Sequence, residues 1–291
     1  ALGCGINPRY GDLDPYAMAA AAIDEAVRNV VAVGADPQRV ALLDNFCWGN
    51  TDRPEVLGSL VEAAEACRDI ALAYGTPFIS GKDSLNNEFR SDDRHIVIPP
   101  TLLISALGLV HDVRCCVTAD LKEAGNWLYL VGSTRDELGG SQVHLVLGRK
   151  GGKVPQVNRL QAPVIFRTIH TAITQGLLRS CHDLSEGGLA VALAEMAFAG
   201  MIGADVDALH RIEAPDDFVR LFSESPSRFI VEVRPEAVES FERLFDGLPL
   251  YRLGRTVADP RLRLVGSGGR ILIDADLEQL KSAWRRPLDF A

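Results

Sequence analysis

The chain has 291 residues, of which 47% are hydrophobic and 24% charged, a composition typical of a folded globular protein of about two domains. Its formal net charge of −9 argues against a general nucleic-acid binder, because a polyphosphate backbone would be repelled. No stretch reaches the ~18 apolar residues of a membrane span. The six cysteines form no CxxC pair, and Cys115 and Cys116 are adjacent, so we expect reduced thiols and a cytoplasmic protein.

The first part of the chain is predicted to form two helices and three strands. Helical spacing and proline or glycine end signals predict helices over residues 14–33 and 54–75. Short apolar runs predict strands at residues 40–46, 77–80 and 96–110, with a polar loop between the last two. This order predicts two helices on one face of a small sheet.

A second unit is predicted to begin near Asp112, which divides the chain into domains at 1–112 and 113–291. Strands are expected at residues 126–132 and 228–233, with a hairpin around 266–269. Helices are expected at three places, namely 162–177, after the phrase CHDLSEGG to about residue 200, and 236–245. Their alternation predicts an α/β layer domain with a mixed sheet.

The phrase CHDLSEGG has two interpretations. Asp183 and Glu186 are three apart before an apolar run, which is the spacing of a capping box at a helix start. Gly187 and Gly188 carry no side chains, so an anionic ligand could instead lie against the first helical turn. Both interpretations can hold together.

Two other polar patterns could belong to a binding site. Glu25 and Asn29 are four apart in the first helix, so their oxygens leave the same face and could share one Mg²⁺. Paired polar residues on a solvated helix face are the more common case. Asp44 stands inside an apolar strand, where a buried carboxylate needs a partner or a ligand.

The loop GKDSLNNE offers groups suited to phosphate. Gly81 allows close backbone approach, Lys82 supplies a positive charge, and Ser84 offers a hydroxyl oxygen. Polar loops of this composition are common, and the pattern is not a Walker A motif.

The turn ELGGSQ at residues 137–142 could hold a phosphate through the amides of Gly139 to Ser141, or simply be a tight turn. The histidines show no zinc-binding spacing, so the sequence predicts no zinc site.

Seven phrases together carry a family resemblance. In chain order they are DPYAMAAAAIDEAVRNVVAVGADP, LLDNF, GNTDRPE, GKDSLNNE, LGGS, HDLSEGGLAVALAEMAFAG and LFSESPSRFIVEV. They resemble the second half of phosphoribosylformylglycinamidine synthases, the synthetases of the fourth step of purine biosynthesis. A weaker resemblance extends to aminoimidazole ribonucleotide (AIR) synthase, selenophosphate synthetase and thiamine-monophosphate kinase.

The resemblance implies a ferredoxin-like α+β domain whose sheet associates with a partner, followed by an α/β domain with a mixed sheet. It also implies that the chain, which begins at Ala1 in a glycine-rich phrase, is the C-terminal half of a longer protein. The catalytic residues would then lie in the other half, and the aspartate phrase that precedes the first helix in the family is absent here. The implied partners are that N-terminal half, a glutaminase subunit and a small accessory subunit, with a homodimer of the chain as a further expectation.

The resemblance also assigns site residues. Glu25, Asn29 and Asp183 match Mg²⁺ ligands of a nucleotide site, and Ser185 matches a nucleotide contact. A second set matches positions of the catalytic site, with Asp44 and Gly81 as ATP contacts and Ser84 as a substrate contact. Lys82 stands where many relatives have a ligating Asn; because an ammonium cannot ligate Mg²⁺, we assign it to phosphate.

The implied activity is the ATP-dependent amidation of formylglycinamide ribonucleotide by ammonia from glutamine, with Mg²⁺ and ATP or ADP as cofactors. One alternative is a structural module that holds Mg-ADP without turnover. Another is a separate kinase or synthase of the same superfamily.

Overall fold

The computed structural model describes residues 1–288, and these form thirteen strands and nine α-helices. The strands are β1 (Leu2–Ile6), β2 (Val40–Cys47), β3 (Phe78–Ser84), β4 (Glu88–Arg90), β5 (His95–Val97), β6 (Thr101–Gly108), β7 (Trp127–Val131), β8 (Leu178–Asp183), β9 (Gly203–Val206), β10 (Phe229–Val233), β11 (Leu250–Val257), β12 (Arg261–Val265) and β13 (Ile271–Asp276). The α-helices are α1 (Pro8–Gly11), α2 (Pro15–Ala32), α3 (Pro54–Tyr74), α4 (Gln142–Val146), α5 (Ala162–Thr174), α6 (Gly188–Gly200), α7 (Asp217–Phe222), α8 (Val238–Leu244) and α9 (Leu277–Arg285).

The chain forms two compact units. The first contains Ala1–Val31, Ala35–His111 and Glu137–Arg167, and the second contains Ala32–Gly34, Asp112–Asp136 and the described residues from Thr168 onward. The sequence predicts a domain boundary at residue 112, and this boundary stays a prediction. No helix in residues 1–288 is long and apolar enough to cross a membrane.

The first unit contains a four-stranded sheet in the order β1-β6-β2-β3, in which only β2 and β3 are parallel. Helix α2 lies directly on β1 because glycines alternate along that strand. A Cβ at Gly5 would be 2.0 Å from the Ala22 carbonyl oxygen, and one at Gly3 would be 2.6 Å from that of Ala26. The opposite face of the sheet is open, with Leu2 82% and Leu107 47% exposed.

The second unit contains a seven-stranded sheet in the order β13-β12-β9-β11-β7-β10-β8. Strands β9 and β12 pair in parallel and the other pairs are antiparallel, so the sheet is mixed. Helix α6 is buried on most of its surface and contributes Leu189, Leu193 and Met196 to the core of this unit. An apolar helix of this kind is typical of a core element.

The predicted fold class is confirmed: helices and sheets combine in an α+β first part and a mixed-sheet second part. The structure corrects the prediction of a loop beginning at Gly81, because β3 continues to Ser84. The predicted strand at residues 96–110 is two strands, β5 and β6, since Pro99 and Pro100 interrupt it.

Candidate functional site

Asp44 and Gly81 lie side by side on neighbouring strands. They are register partners in the parallel pair β2 and β3. A Cβ built on Gly81 would be 2.1 Å from Oδ1 of Asp44 and 2.7 Å from its Cγ. Glycine at this position therefore makes room for the carboxylate.

The Asp44 carboxyl has a raised pKa. Burial is the main cause, the negative charge of Asp83 adds to it, and the backbone N–H of Lys82 partly opposes it. The charge of Asp44 also reaches the Cys67 thiol in α3, whose pKa is raised to about 12, mainly by burial. Asp44 thus projects toward the face of the sheet on which α3 lies.

Replacing Gly81 by alanine is expected to lower the free energy of unfolding by about 1–3 kcal/mol, because the new Cβ overlaps the Asp44 carboxylate. Gly58→Ala is the matched control: it lies inside α3 with no atom within 4 Å of the point that a Cβ would occupy, and should stabilise by about 0.5–1 kcal/mol. Urea unfolding of both variants measures the difference. Equal effects of the two substitutions would contradict the close packing at Gly81.

Lys82 and Ser84 form a second pair on the same strand. The Lys82 ammonium donates a hydrogen bond to the Ser84 hydroxyl. Since side chains alternate along a strand, these two residues project to the face opposite to Gly81 and Asp44. The structure therefore divides the four predicted residues of β2 and β3 into two pairs on opposite faces.

Glu88, the first residue of β4, connects this strand to β5 and to the loop after β2. Its carboxylate accepts hydrogen bonds from the Asn50 backbone N–H at 2.7 Å and from His95 at 2.8 Å, and it pairs with Arg53. The Asn50 N–H is the main cause, and His95 the next, of a Glu88 pKa lowered from 4.5 to about 2. These bonds hold the loop at residues 48–53 against β4.

The contribution of Glu88 to the stability of the fold should depend on pH. Because its pKa is lowered in the folded state, its contribution is complete above about pH 4.5 and is lost as the pH falls toward 2. We expect Glu88→Gln to lower Tm at pH 6.5 and to have a much smaller effect near pH 2.5, as measured by thermal unfolding. A Tm difference that is independent of pH would contradict this assignment.

Glu25 and Asn29 connect α2 to the start of the chain. Glu25 Oε2 accepts hydrogen bonds from the Ile6 backbone N–H at 3.0 Å and from Asn7 Nδ2 at 2.8 Å. Asn29 Nδ2 donates to the carbonyl oxygens of Glu25 and Cys4. The Asn29 nitrogen is thus occupied and its oxygen is the atom that suits a cation, while Glu25 offers a carboxylate that is only 9% exposed.

Asp183 ends β8 in the second unit and is only 6% exposed. Its Oδ2 accepts a hydrogen bond from the Ser185 hydroxyl at 2.8 Å, and its Oδ1 is 3.6 Å from His182 Nδ1. Burial lowers the pKa of His182, but its contacts with Asp183 and Glu195 outweigh burial and raise the pKa to about 9. The structure thus brings the two predicted residues of this unit, Asp183 and Ser185, into direct contact.

The predicted capping role of Glu186 is wrong. Helix α6 begins at Gly188 with Gly187 at the N-cap, in the left-handed conformation at φ +81°. The backbone N–H of Gly187 donates to Oε1 of Glu224 at 2.8 Å, so a distant carboxylate satisfies this helix start. Asp183 and Glu186 precede the helix and form no capping box.

Sequence reasoning assigned no role to Glu224 and Arg228, although both lie in the phrase SESPSR. Arg228 is fully buried and donates to the Ser225 and Ser223 carbonyl oxygens and to the Thr134 hydroxyl. These bonds hold the loop that presents Glu224 to α6. The signal in the sequence was a charged residue directly before an apolar strand. A charged side chain at such a position needs several partners when it is buried.

The LGGS phrase forms a tight turn. The Gly139 N–H donates to the Lys153 carbonyl oxygen at 2.8 Å, and the Ser141 N–H donates to that of Leu138 at 3.2 Å. The Ser141 hydroxyl accepts from the His144 N–H and caps α4. Two of the three amides proposed to hold a phosphate are therefore already bonded.

The candidate metal ligands belong to separate units, with Glu25 and Asn29 in the first and Asp183 in the second. Within residues 1–288, no three His, Cys, Asp or Glu side chains are grouped as a metal site. The expectation that Glu25, Asn29 and Asp183 ligate Mg²⁺ at a nucleotide site stays a prediction.

Two family models match the chain. They describe the N-terminal domain of AIR synthase related proteins, at residues 2–110, and the C-terminal domain of the same proteins, at residues 123–267. The chain belongs to the AIR synthase related proteins.

Within this class the chain is similar to subunit PurL of phosphoribosylformylglycinamidine synthase. It is 39% identical over 290 residues to the subunit of Deinococcus radiodurans and 36% identical over 296 residues to that of Anaeromyxobacter dehalogenans. These matches cover 97% and 98% of the chain but 38% and 37% of the relatives, so the chain spans less than two-fifths of their length. The resemblance predicted from the sequence phrases is confirmed.

Solved structures share the fold. Thermotoga maritima PurL complexed with FGAR matches with a TM-score of 0.79 and 19% identity, over 96% of this chain and 45% of that one. The hydrogenase maturation protein HypE in complex with ATP matches with a TM-score of 0.66 and 15% identity, over 96% of this chain and 87% of that one.

Proposed function

We propose that the chain acts as the C-terminal half of an ATP-dependent amidoligase. The reaction converts formylglycinamide ribonucleotide, ATP and glutamine-derived ammonia to formylglycinamidine ribonucleotide, ADP and phosphate. The observation that carries the proposal is the 39% identity to a PurL subunit over 97% of the chain. Structures of Thermotoga maritima PurL complexed with ATP and with ADP support a nucleotide as cofactor.

We assign Mg²⁺ binding to Glu25, Asn29 and Asp183, and a nucleotide contact to Ser185. The chemistry of the donors supports this, because two buried carboxylates and an amide oxygen are the hard ligands that Mg²⁺ prefers. Bound Mg²⁺ would spread the negative charge of the nucleotide phosphates. Ser185 would hold the Asp183 carboxylate in place through their hydrogen bond.

Asp44, Gly81 and Lys82 are assigned to ATP, and Ser84 to substrate. Gly81 supports the assignment by making room for the Asp44 carboxylate, which is the polar group that this pair offers to a ligand. On the opposite face, the Lys82 ammonium supplies positive charge for a phosphate beside the Ser84 hydroxyl. These residues would bind and orient ATP and the substrate. We assign no catalytic residue to this chain.

The open face of the four-stranded sheet supports an association with another polypeptide. Alternate residues of β1, including Leu2 and Ile6, are exposed there, and an unpaired apolar surface of this kind is typical of an interface. We assign this face to the N-terminal half of the same synthetase, or to a second copy of the chain when that half is missing. The glutaminase and small accessory subunits complete the proposed assembly.

An activity assay tests the proposal. The isolated chain, supplied with formylglycinamide ribonucleotide, ATP, Mg²⁺ and ammonium chloride, is expected to form no formylglycinamidine ribonucleotide. Addition of a polypeptide that corresponds to the N-terminal half of a PurL subunit should restore product formation. Turnover by the isolated chain would show that its catalytic residues are complete, and failure of the combined parts would contradict the assignment as a half-enzyme.

A further inference from the structure

A cavity of about 560 Å³ lies in the first unit, apart from every residue assigned to nucleotide, metal or substrate. One wall comes from α1 and the residues after it, including Arg9 and Leu13. The other comes from α4 and the glycine-rich segment that follows it, including His144, Arg149 and Lys150. Its volume is that of a small-molecule site.

The walls of this cavity are cationic although the chain is acidic. Arg9, Arg149 and Lys150 line it, and Asp12 is the single carboxylate among the described lining residues. In the described part of the chain, Arg149 and Lys150 form no ion pair, while Arg9 donates to Gln142 Oε1 at 3.1 Å. Unpaired cations collected in one cavity of a chain with net charge −9 indicate an anionic ligand.

His144 adds an imidazole to the same wall. Its Nδ1 is buried and has no hydrogen-bond partner among residues 1–288. Because this nitrogen is closed off from the cavity, a ligand there can bond to the imidazole only through the other ring nitrogen, Nε2. The LGGS turn, in which two of the three amides are already bonded, leads into α4, and α4 supplies this histidine.

The cavity also has apolar surface. Leu13 and Leu145 line it and are 45% and 54% exposed. Inorganic phosphate alone would leave these side chains uncovered, whereas the organic part of a phosphate ester would cover them. The cationic side chains suit a dianion, since an arginine can donate two parallel hydrogen bonds to phosphate oxygens.

We infer that this cavity binds a phosphate monoester. Arg9, Arg149 and Lys150 hold the phosphate, His144 contributes a hydrogen bond, and the leucines pack against the organic part. The inference does not depend on the proposed amidoligase activity, because none of these residues belongs to the proposed nucleotide, metal or substrate sites.

Calorimetric titration of the chain without Mg²⁺ tests the inference, with inorganic phosphate, ribose 5-phosphate and AMP as probes. At least one ester should bind saturably and more tightly than inorganic phosphate. If AMP binds more tightly than ribose 5-phosphate, the ligand is a nucleotide. If ribose 5-phosphate binds at least as tightly as AMP, the ligand is a sugar phosphate. The double substitution Arg149→Ala/Lys150→Ala should raise Kd on the order of tenfold or more, because charged hydrogen bonds are lost.

The matched control is the double substitution Arg39→Ala/Arg94→Ala, which removes two exposed arginines of the same unit that form no ion pair in the described chain. It should leave Kd unchanged, and so should Asp183→Ala, which separates this site from the proposed nucleotide site. Equal weakening by both double substitutions would show only a long-range charge effect and would overturn the inference. Unchanged affinity after Arg149→Ala/Lys150→Ala, inorganic phosphate binding as tightly as both esters, or no saturable binding of any probe would overturn it as well.

Discussion

Replacing Asp24 by alanine is expected to lower the free energy of unfolding by about 3–5 kcal/mol, because Arg28 would lose its buried counter-ion. Asp24 is 0% and Arg28 3% exposed, and they form an ion pair one turn apart in α2. The Tyr74 hydroxyl donates to Oδ2 of Asp24 at 2.6 Å and connects this pair to the end of α3. Chemical denaturation measures the loss.

Two other substitutions calibrate this result. Tyr74→Phe removes one hydrogen bond and should cost about 0.5–1.5 kcal/mol. Asp52→Ala removes an exposed carboxylate without an ion pair in the described chain and should change stability by less than about 0.5 kcal/mol. A loss at Asp24 no larger than that at Asp52 would contradict a buried ion pair that stabilises the first unit.

Arg228→Met is expected to lower the free energy of unfolding by about 3–5 kcal/mol, because three buried acceptor groups lose charged donors. Methionine fills much of the same volume, so the cost arises mainly from unsatisfied oxygens and not from a cavity. The loop that holds Glu224 against Gly187 should loosen at the same time. Hydrogen exchange at the Gly187 amide should therefore accelerate.

Arg234→Met is the matched control for this experiment. Arg234 is partly exposed and pairs with Glu123 at the surface of the same unit, so its loss should cost less than about 1 kcal/mol. Similar losses for the two arginines, or an unchanged exchange rate at Gly187 in Arg228→Met, would contradict the role given to Arg228.

Local signals in the sequence were sufficient where an element carries its own end or turn residues. Pro54 and Gly75 delimit α3 as predicted, because proline suits a first helical turn and glycine suits the left-handed end, where Gly75 has φ +70°. The hairpin of β12 and β13 around residues 266–269 also followed from its turn residues.

Elements that depend on tertiary contact were missed. Strand β1 has the sequence LGCGI, whose glycines give weak strand propensity and are explained only by the close approach of α2. Strand β3 extends through the polar residues Lys82 and Asp83 because β2 pairs with it along its length. Polarity alone predicted a loop there.

The candidate site was predictable in its residue types but not in its contacts. The hydrogen bond between Ser185 and Asp183 is local in sequence, whereas the Glu224 carboxylate that meets Gly187 is 37 residues away. The spacing of Asp183 and Glu186 suggested a capping box. Spacing alone cannot indicate that a distant carboxylate bonds to the helix start in place of these two residues. Only the fold identifies Glu224 as the group at the start of α6.

Titration of the chain with ATP in the presence and absence of Mg²⁺ tests the central claim, which is that Asp183 ligates the metal of a bound nucleotide. We expect Mg²⁺ to strengthen ATP binding to the wild-type chain, and Asp183→Asn to abolish this gain. Glu186→Gln should keep it, because Glu186 is an exposed carboxylate that lies three residues away and does not cap α6. An undiminished Mg²⁺-dependent gain in Asp183→Asn would contradict the account.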